Sequence, residues 1–310
     1  MPWTSSRHHT PTTAASTAVI RLSAITGLLA LACGLAGLLW GGAGEPREVV
    51  SLSGETFELY GRGLYENDTV FAAANNRASD LTMLIFGIPL LVVSVVRYSK
   101  GSVRGRFLLL GALGFFVYIG TSYALGAVAY NEMFLAYVGL FSASLFALIL
   151  LFCSFDDLFL SEALPQGLPR RWPGWFMVAS GVATFAIWIV EPLAALAGGA
   201  TPAGLETRTT LFTTALDVGV IVPAALVAGI LILRTHRFGY VVAFSLLVLE
   251  ALLMPMITIA TIFQVRDGTS FEPGEIAGPI AGFSVFAVLS LAVIIMLVRR
   301  MGREPERRTA

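Results

Sequence analysis

Charged side chains are scarce in this 310-residue chain: 13% of its residues are Asp, Glu, Lys or Arg, against ~25% in soluble domains. Histidine is rarer still. All three, His8, His9 and His236, sit in polar stretches, so no apolar run offers an imidazole to ligate haem or zinc or to assist a serine nucleophile. That argues against b-type cytochromes, membrane metalloproteases and Ser-His hydrolysis. Lys100 is the only lysine and lies in a polar loop, which excludes a retinal Schiff base inside a helical bundle. Cys33 and Cys153 are the only cysteines and fall in separate apolar runs. They supply neither a disulfide framework nor a CxxC redox pair. No GxxxxGK[ST] phosphate loop occurs. A formal net charge of zero speaks against nucleic acid as a partner. No cofactor, metal site or catalytic residue is expected.

What the chain has in abundance is apolar surface: 56% of its residues are hydrophobic and its mean hydropathy is +0.79. Such a chain would aggregate in water, so its expected partner is the lipid bilayer. Crossing ~30 Å of hydrocarbon takes ~20 residues. Eight runs qualify: 22–40, 80–97, 107–129, 133–153, 174–197, 210–233, 240–263 and 276–298. The expected fold class is therefore an all-α polytopic integral membrane protein of eight transmembrane helices.

Arginines set the expected orientation. Arg97, Arg104, Arg106, Arg170, Arg171, Arg234, Arg237, Arg299 and Arg300 fall in alternate connections or after the last run. They share one side with Arg7 and Arg21, which places both termini in the cytoplasm. Arginine in place of lysine, with abundant Ala and Gly, reads as a GC-rich prokaryotic source and hence a plasma membrane. Residues 1–16 are expected to be disordered and 299–310 to form a basic tail. "LALACGLAG" superficially suggests cleavage before Cys33, but the apolar run continues to Trp40, so a retained anchor helix is the better reading.

One sizeable polar segment, 41–79, interrupts the runs on the opposite side. "EVVSLSGETFELYGRGLYENDTVF" alternates β-branched and aromatic residues around Gly turns, which predicts a small hairpin. "NDT" at 67–69 matches a glycosylation acceptor, yet loop chemistry is the simpler reading in a prokaryote. In the cytoplasmic loop before Pro165 a short interfacial helix is expected, with Asp156, Asp157 and Glu162 as its solvated acids. "DDLFLSE" lacks the spacing of a magnesium-diphosphate motif.

An internal echo suggests a 4+4 parallel repeat: Asp80 precedes Arg97 by the 17 positions that separate Asp217 from Arg234. Each of those two runs also contains a proline, Pro89 or Pro223.

Carboxylates in or near the runs are the remaining candidates for chemistry. With a rise of 1.5 Å per residue, Asp217 lies roughly 25 Å outward of Arg234. Asp80 reaches a similar depth, and Glu250 lies roughly 15 Å in, near the midplane. A charge there costs ~2.5–3.5 kcal/mol on insertion scales. Helical spacing puts Thr210 and Thr213 on the face of Asp217, and Met254, Thr258 and Thr261 beyond Glu250. The third run adds Tyr118, Ser122, Tyr123 and Tyr130, and the fourth adds Tyr137. Converging stripes would make an outward-facing acidic, tyrosine-lined pocket, with carbonyls freed by Pro223 and Pro255 close by.

Plainer roles stand beside that one. Asp217 can accept a threonine hydroxyl or pair with Arg77 or Arg208, Asp80 reads as the N-cap of the second span in "NNRASDL", Glu191 before Pro192 reads as interfacial, and Glu132 belongs to a turn. Trp40, Trp175, Trp188 and Tyr130 suit the interfacial belt.

Three classes of function follow. The first is a solute transporter with Glu250 coupling a proton to a small cationic or amphipathic solute, using Asp217, Tyr118, Ser122, Thr213 and Thr258, with Asp80, Glu191 and Tyr123 as secondary candidates. The second is a membrane sensor or assembly subunit that uses 41–79. The third is a metal-dependent lipid enzyme.

Overall fold

The computed structural model describes residues 15–165, 167–269, 271 and 273–301, the side chains of 273–279 aside. The expected disordered start and the basic tail lie outside these residues, except for 15–16 and 299–301. Eight helices are long and apolar enough to cross a membrane. They are span 1 (Thr17–Leu39), span 2 (Val70–Ser99), span 3 (Val103–Leu125), span 4 (Phe134–Phe152), span 5 (Arg171–Gly198), span 6 (Phe212–Leu233), span 7 (Phe238–Arg266) and span 8 (Pro273–Arg300). The protein is an all-α multi-pass membrane protein. Helices satisfy every backbone N–H and C=O internally, which hydrocarbon demands. Their ends follow local chemistry. Ser102 caps span 3 by accepting from the Gly105 amide (3.2 Å), and Gly199, at φ +63°, ends span 5 in the left-handed conformation glycine favours.

Span 1 packs on spans 2 and 4, span 3 on 2 and 4, span 6 on 5 and 7, and span 8 mainly on 7. Span 7 joins the halves by packing on spans 2 and 3. Span 3 is the most enclosed, with Phe107, Leu110, Leu113, Phe115 and Phe116 fully buried. Spans 5 and 6 approach through glycine: a Cβ on Gly229 would lie 2.7 Å from the Gly174 carbonyl. Small residues at such crossings replace the hydrophobic drive that lipid cannot supply. Leu28, Leu135 and Leu196 point outward, as lipid-facing residues do.

Spans 2 and 6 share an irregularity. Each contains a single π-helical turn, Met83–Gly87 and Asp217–Ile221. Two residues beyond each turn comes a proline, Pro89 and Pro223. Proline cannot donate a hydrogen bond and crowds the carbonyl four residues back, so the helix widens before it. The amides of Ile88 and Val222 reach back five residues, to the Met83 and Asp217 carbonyls. Aligned on this feature, the two acids are not equivalent. Asp80 lies three residues ahead of its π turn, whereas Asp217 opens its own. The repeated element is the proline and its π turn, and the matching acid-to-arginine spacing is not part of it.

The hairpin is present. β1 (Arg47–Val50) and β2 (Thr56–Leu59) pair antiparallel, with Val49 opposite Phe57. Just outside them the chain crosses at two glycines: a Cβ on Gly44 would stand 2.0 Å from the Gly61 carbonyl, and one on Gly61 2.1 Å from that of Glu45. The polar segment is shorter than 41–79, because span 2 starts at Val70. Thr69 caps it, accepting from the Ala72 amide at 3.1 Å. Asp80 is therefore not the cap; it lies ten residues into the helix. "AAANNRAS" is too polar to register as part of an apolar run, yet it is helical; the helix packs against spans 1 and 7, and its Ala73 lies against Leu64 and Tyr65.

Candidate functional site

Asp80 is completely enclosed. Its Oδ2 accepts from the Tyr65 hydroxyl at 2.6 Å and its Oδ1 from the Tyr123 hydroxyl at 2.9 Å. Tyr65 comes from the loop behind the hairpin and Tyr123 from the end of span 3. Span 1 makes room with Gly37, where any Cβ would collide with the carboxylate. The Tyr123 hydroxyl also faces the Asn76 carbonyl at 2.8 Å, and Tyr137 stacks edge-on against the Tyr123 ring. Burial pushes the Tyr65 phenol well above its ordinary value, with the neighbouring Asp80 acting in the same direction. The phenol therefore stays a donor.

Glu250 is held by two serines. Ser180 of span 5 donates to Oε1, and Ser290 of span 8 donates to Oε2 at 2.6 Å. Asp217 faces the Tyr118 phenol and the Trp188 indole, which draws Trp188 away from a purely interfacial role. No hydrogen bond among the described residues joins Glu250 to Asp217. The hydroxyls of Ser122 and Thr258 donate to carbonyls one turn back, those of Tyr118 and Met254. Thr213 contributes its backbone carbonyl to the Asp217 amide. Glu191 accepts from the Gly204 amide at 2.6 Å. The expected arginine partners of Asp217 are engaged elsewhere: Arg77 pairs with Asp267 (2.7 Å) and Arg208 with Glu206 (3.2 Å).

Above the bundle, on the hairpin side, lies a cavity of about 360 Å³. Three connections meet there: the turn at 68–69, the span 3–4 turn at 125–130, and the span 5–6 loop at 207–210. Asp68 is its buried acid, 4% exposed. Its Oδ1 accepts from the Ala129 amide at 3.0 Å, and its Oδ2 has no partner among the described residues. Burial, the largest influence, pushes the Asp68 carboxyl up to about 7, while the Ala129 amide and Arg208 act the other way. Glu206 is likewise raised by burial. It accepts from Thr69 at 3.0 Å and adopts φ +51°, strained for a side-chain-bearing residue.

The cavity wall connects to the Asp80 nest. Arg208 and Asn76 both donate to the Ala127 carbonyl (3.5 and 3.3 Å), and Tyr123 bridges Asn76 to Asp80.

No family model matches this chain, and no curated protein or solved structure matches it either. Function therefore has to be read from the residues. Nothing in the sequence singles out Asp68, Tyr65, Glu206, Ser180 or Ser290. "NDT" looked like ordinary loop chemistry, and nothing in it signals that its Asp is buried. Thr210, at the head of the expected stripe, does line the cavity. Among the described residues, no three His, Cys, Asp or Glu side chains come close enough to hold a metal ion.

Proposed function

We propose that this multi-pass membrane protein is a sensor or capture subunit that recognises a small solute at its hairpin side, the exterior of a prokaryotic plasma membrane, with both termini cytoplasmic. One observation carries the reading. Both oxygens of Asp80 and both of Glu250 are occupied by hydroxyl donors from neighbouring elements, whereas among the described residues the buried carboxylate oxygen without a partner belongs to Asp68, which lines the hairpin-side cavity. A carboxylate that couples protons to a solute must exchange partners during each cycle. One that ties three helices together through paired hydroxyls does better staying put. The arginine distribution supports the orientation.

Proteoliposomes provide the test. A panel of amine, carboxylate, zwitterionic and sugar solutes is expected to include saturable binders, with no accumulation driven by an imposed proton gradient and no change of affinity in Glu250→Gln. Gradient-driven accumulation that disappears in Glu250→Gln would overturn the reading in favour of a proton-coupled transporter.

A further inference from the structure

We propose that the Asp68 cavity is a binding site for a small organic ammonium ion bearing N–H donors. The inference rests on hairpin-side recognition and names the ligand class. Asp68 is buried with one oxygen occupied and the other without a partner. Leaving a buried carboxylate oxygen unbonded is costly, so a donor that fills the place gains what the bare site lacks.

Charge narrows the choice of donor. Arg208 is matched by Glu206, which leaves the carboxylate of Asp68 as the uncompensated charge in the cavity wall. A monocation neutralises it, whereas an anion adds to it. Hydroxyl-bearing residues are frequent in the remaining lining, which includes Thr207, Thr209, Thr210 and Tyr130, and hydroxyl oxygens suit N–H hydrogens. A metal ion fits poorly. Calcium takes six to eight oxygens, and here Asp68 is the only carboxylate in the lining, next to an arginine. At about 360 Å³ the space is at the small end of ligand pockets, ~300–1,000 Å³, so the ion is compact. Asp68 directly precedes the Thr69 cap of span 2, where the helix dipole favours the ionised carboxylate.

Titration of Asp68 gives binding a pH signature. The charged groups that face it are Glu206 and Arg208 on the span 5–6 loop, and Tyr130 on the span 3–4 turn also lines the space. With Asp68 near 7, the ionised, binding-competent fraction rises about tenfold between pH 6 and 8, and apparent affinity rises with it.

Isothermal titration of the full chain in nanodiscs, with ethylammonium as the probe, tests the site. Saturable ethylammonium binding is expected, about tenfold tighter at pH 8 than at pH 6, with tetramethylammonium, sodium and acetate failing to compete. Asp68→Asn keeps the acceptor for Ala129 and is expected to weaken binding about 10- to 100-fold and remove the pH dependence. Absence of ethylammonium binding, competition by tetramethylammonium, or unchanged affinity in Asp68→Asn overturns the proposal. If acetate or glycine binds in place of ethylammonium, the ammonium class falls and hairpin-side recognition stands. Ethylammonium accumulation in vesicles that is lost in Glu250→Gln overturns the capture reading instead, while Asp68-dependent binding still upholds the site.

Discussion

Asp80 and Asp68 are two buried aspartates with opposite bonding, and single substitutions separate them. Tyr65→Phe removes the donor to Asp80 Oδ2 inside a fully enclosed nest. A buried acceptor left unsatisfied costs about 1–3 kcal/mol, so the unfolding midpoint in detergent is expected to drop by several degrees. Little change would mean that the carboxylate finds another donor. For Asp68, folding raises the carboxyl from ~3.9 in the unfolded chain to about 7. The folded state then binds more protons than the unfolded one between these values. Stability from this group is present below about pH 4 and falls as pH rises towards 7. Glu206, also raised, adds a slope of the same sign. Asp68→Asn is expected to flatten part of that slope in thermal midpoints measured from pH 4 to 8, and an unchanged slope would rule Asp68 out as its source.

At the level of elements, the π turns carry the most specific expectation. A π turn is one residue more than a regular helix needs. Deleting Ile85, which points outward, together with Pro89→Ala, lets span 2 continue as α-helix and keeps the faces on either side in register. That double variant should fold and run as a monodisperse peak in size-exclusion chromatography. Deleting one residue from a regular part of the same helix, such as Val92, should not, because it turns every preceding side chain by about 100°. The prolines were legible in the sequence, but the widening they cause was not, since proline kinks helices in several ways. The start of span 2 is hidden in the sequence for another reason. Asn75, Asn76 and Arg77 lower its hydropathy, yet their polar groups are used: Asn76 donates to the Ala127 carbonyl, and Arg77 meets Asp267 and the Tyr60 hydroxyl (2.9 Å). Local composition does not show partners that arrive from 17 to 190 residues away.

For the molecule as a whole, eight spans put the start of span 1 and the end of span 8 on one side and the hairpin on the other. In a background without Cys33 and Cys153, a membrane-impermeant maleimide is expected to label Ser53→Cys on intact cells. Lys100→Cys should react only after permeabilisation. The reverse pattern would invert the orientation read from the arginines. Span number was legible because hydrocarbon imposes one length on every crossing. The grouping of acids was not, because depth and helical face say nothing about which spans are neighbours. Glu250 and Asp217 lie on consecutive spans with polar stripes that both lead outward, a pattern that suggests one shared pocket. Glu250 instead turns towards the serines of spans 5 and 8, while Asp217 turns to Tyr118 of span 3 and Trp188 of span 5.

Gly37, Gly44 and Gly61 sit where nearby residues of the same chain leave no space for even a methyl group. Acids and hydroxyls elsewhere can drift, since a threonine can replace a serine or a glutamate an aspartate with modest rearrangement. These three positions have no such latitude, because the obstacle to a larger residue is a carbonyl or the buried Asp80 carboxylate. Over evolutionary time they should be the slowest-changing letters in the first quarter of the chain. A distant descendant of this fold would then be recognised by a spaced trio of glycines ahead of its second helix long after its ligand, and the residues that touch it, had changed.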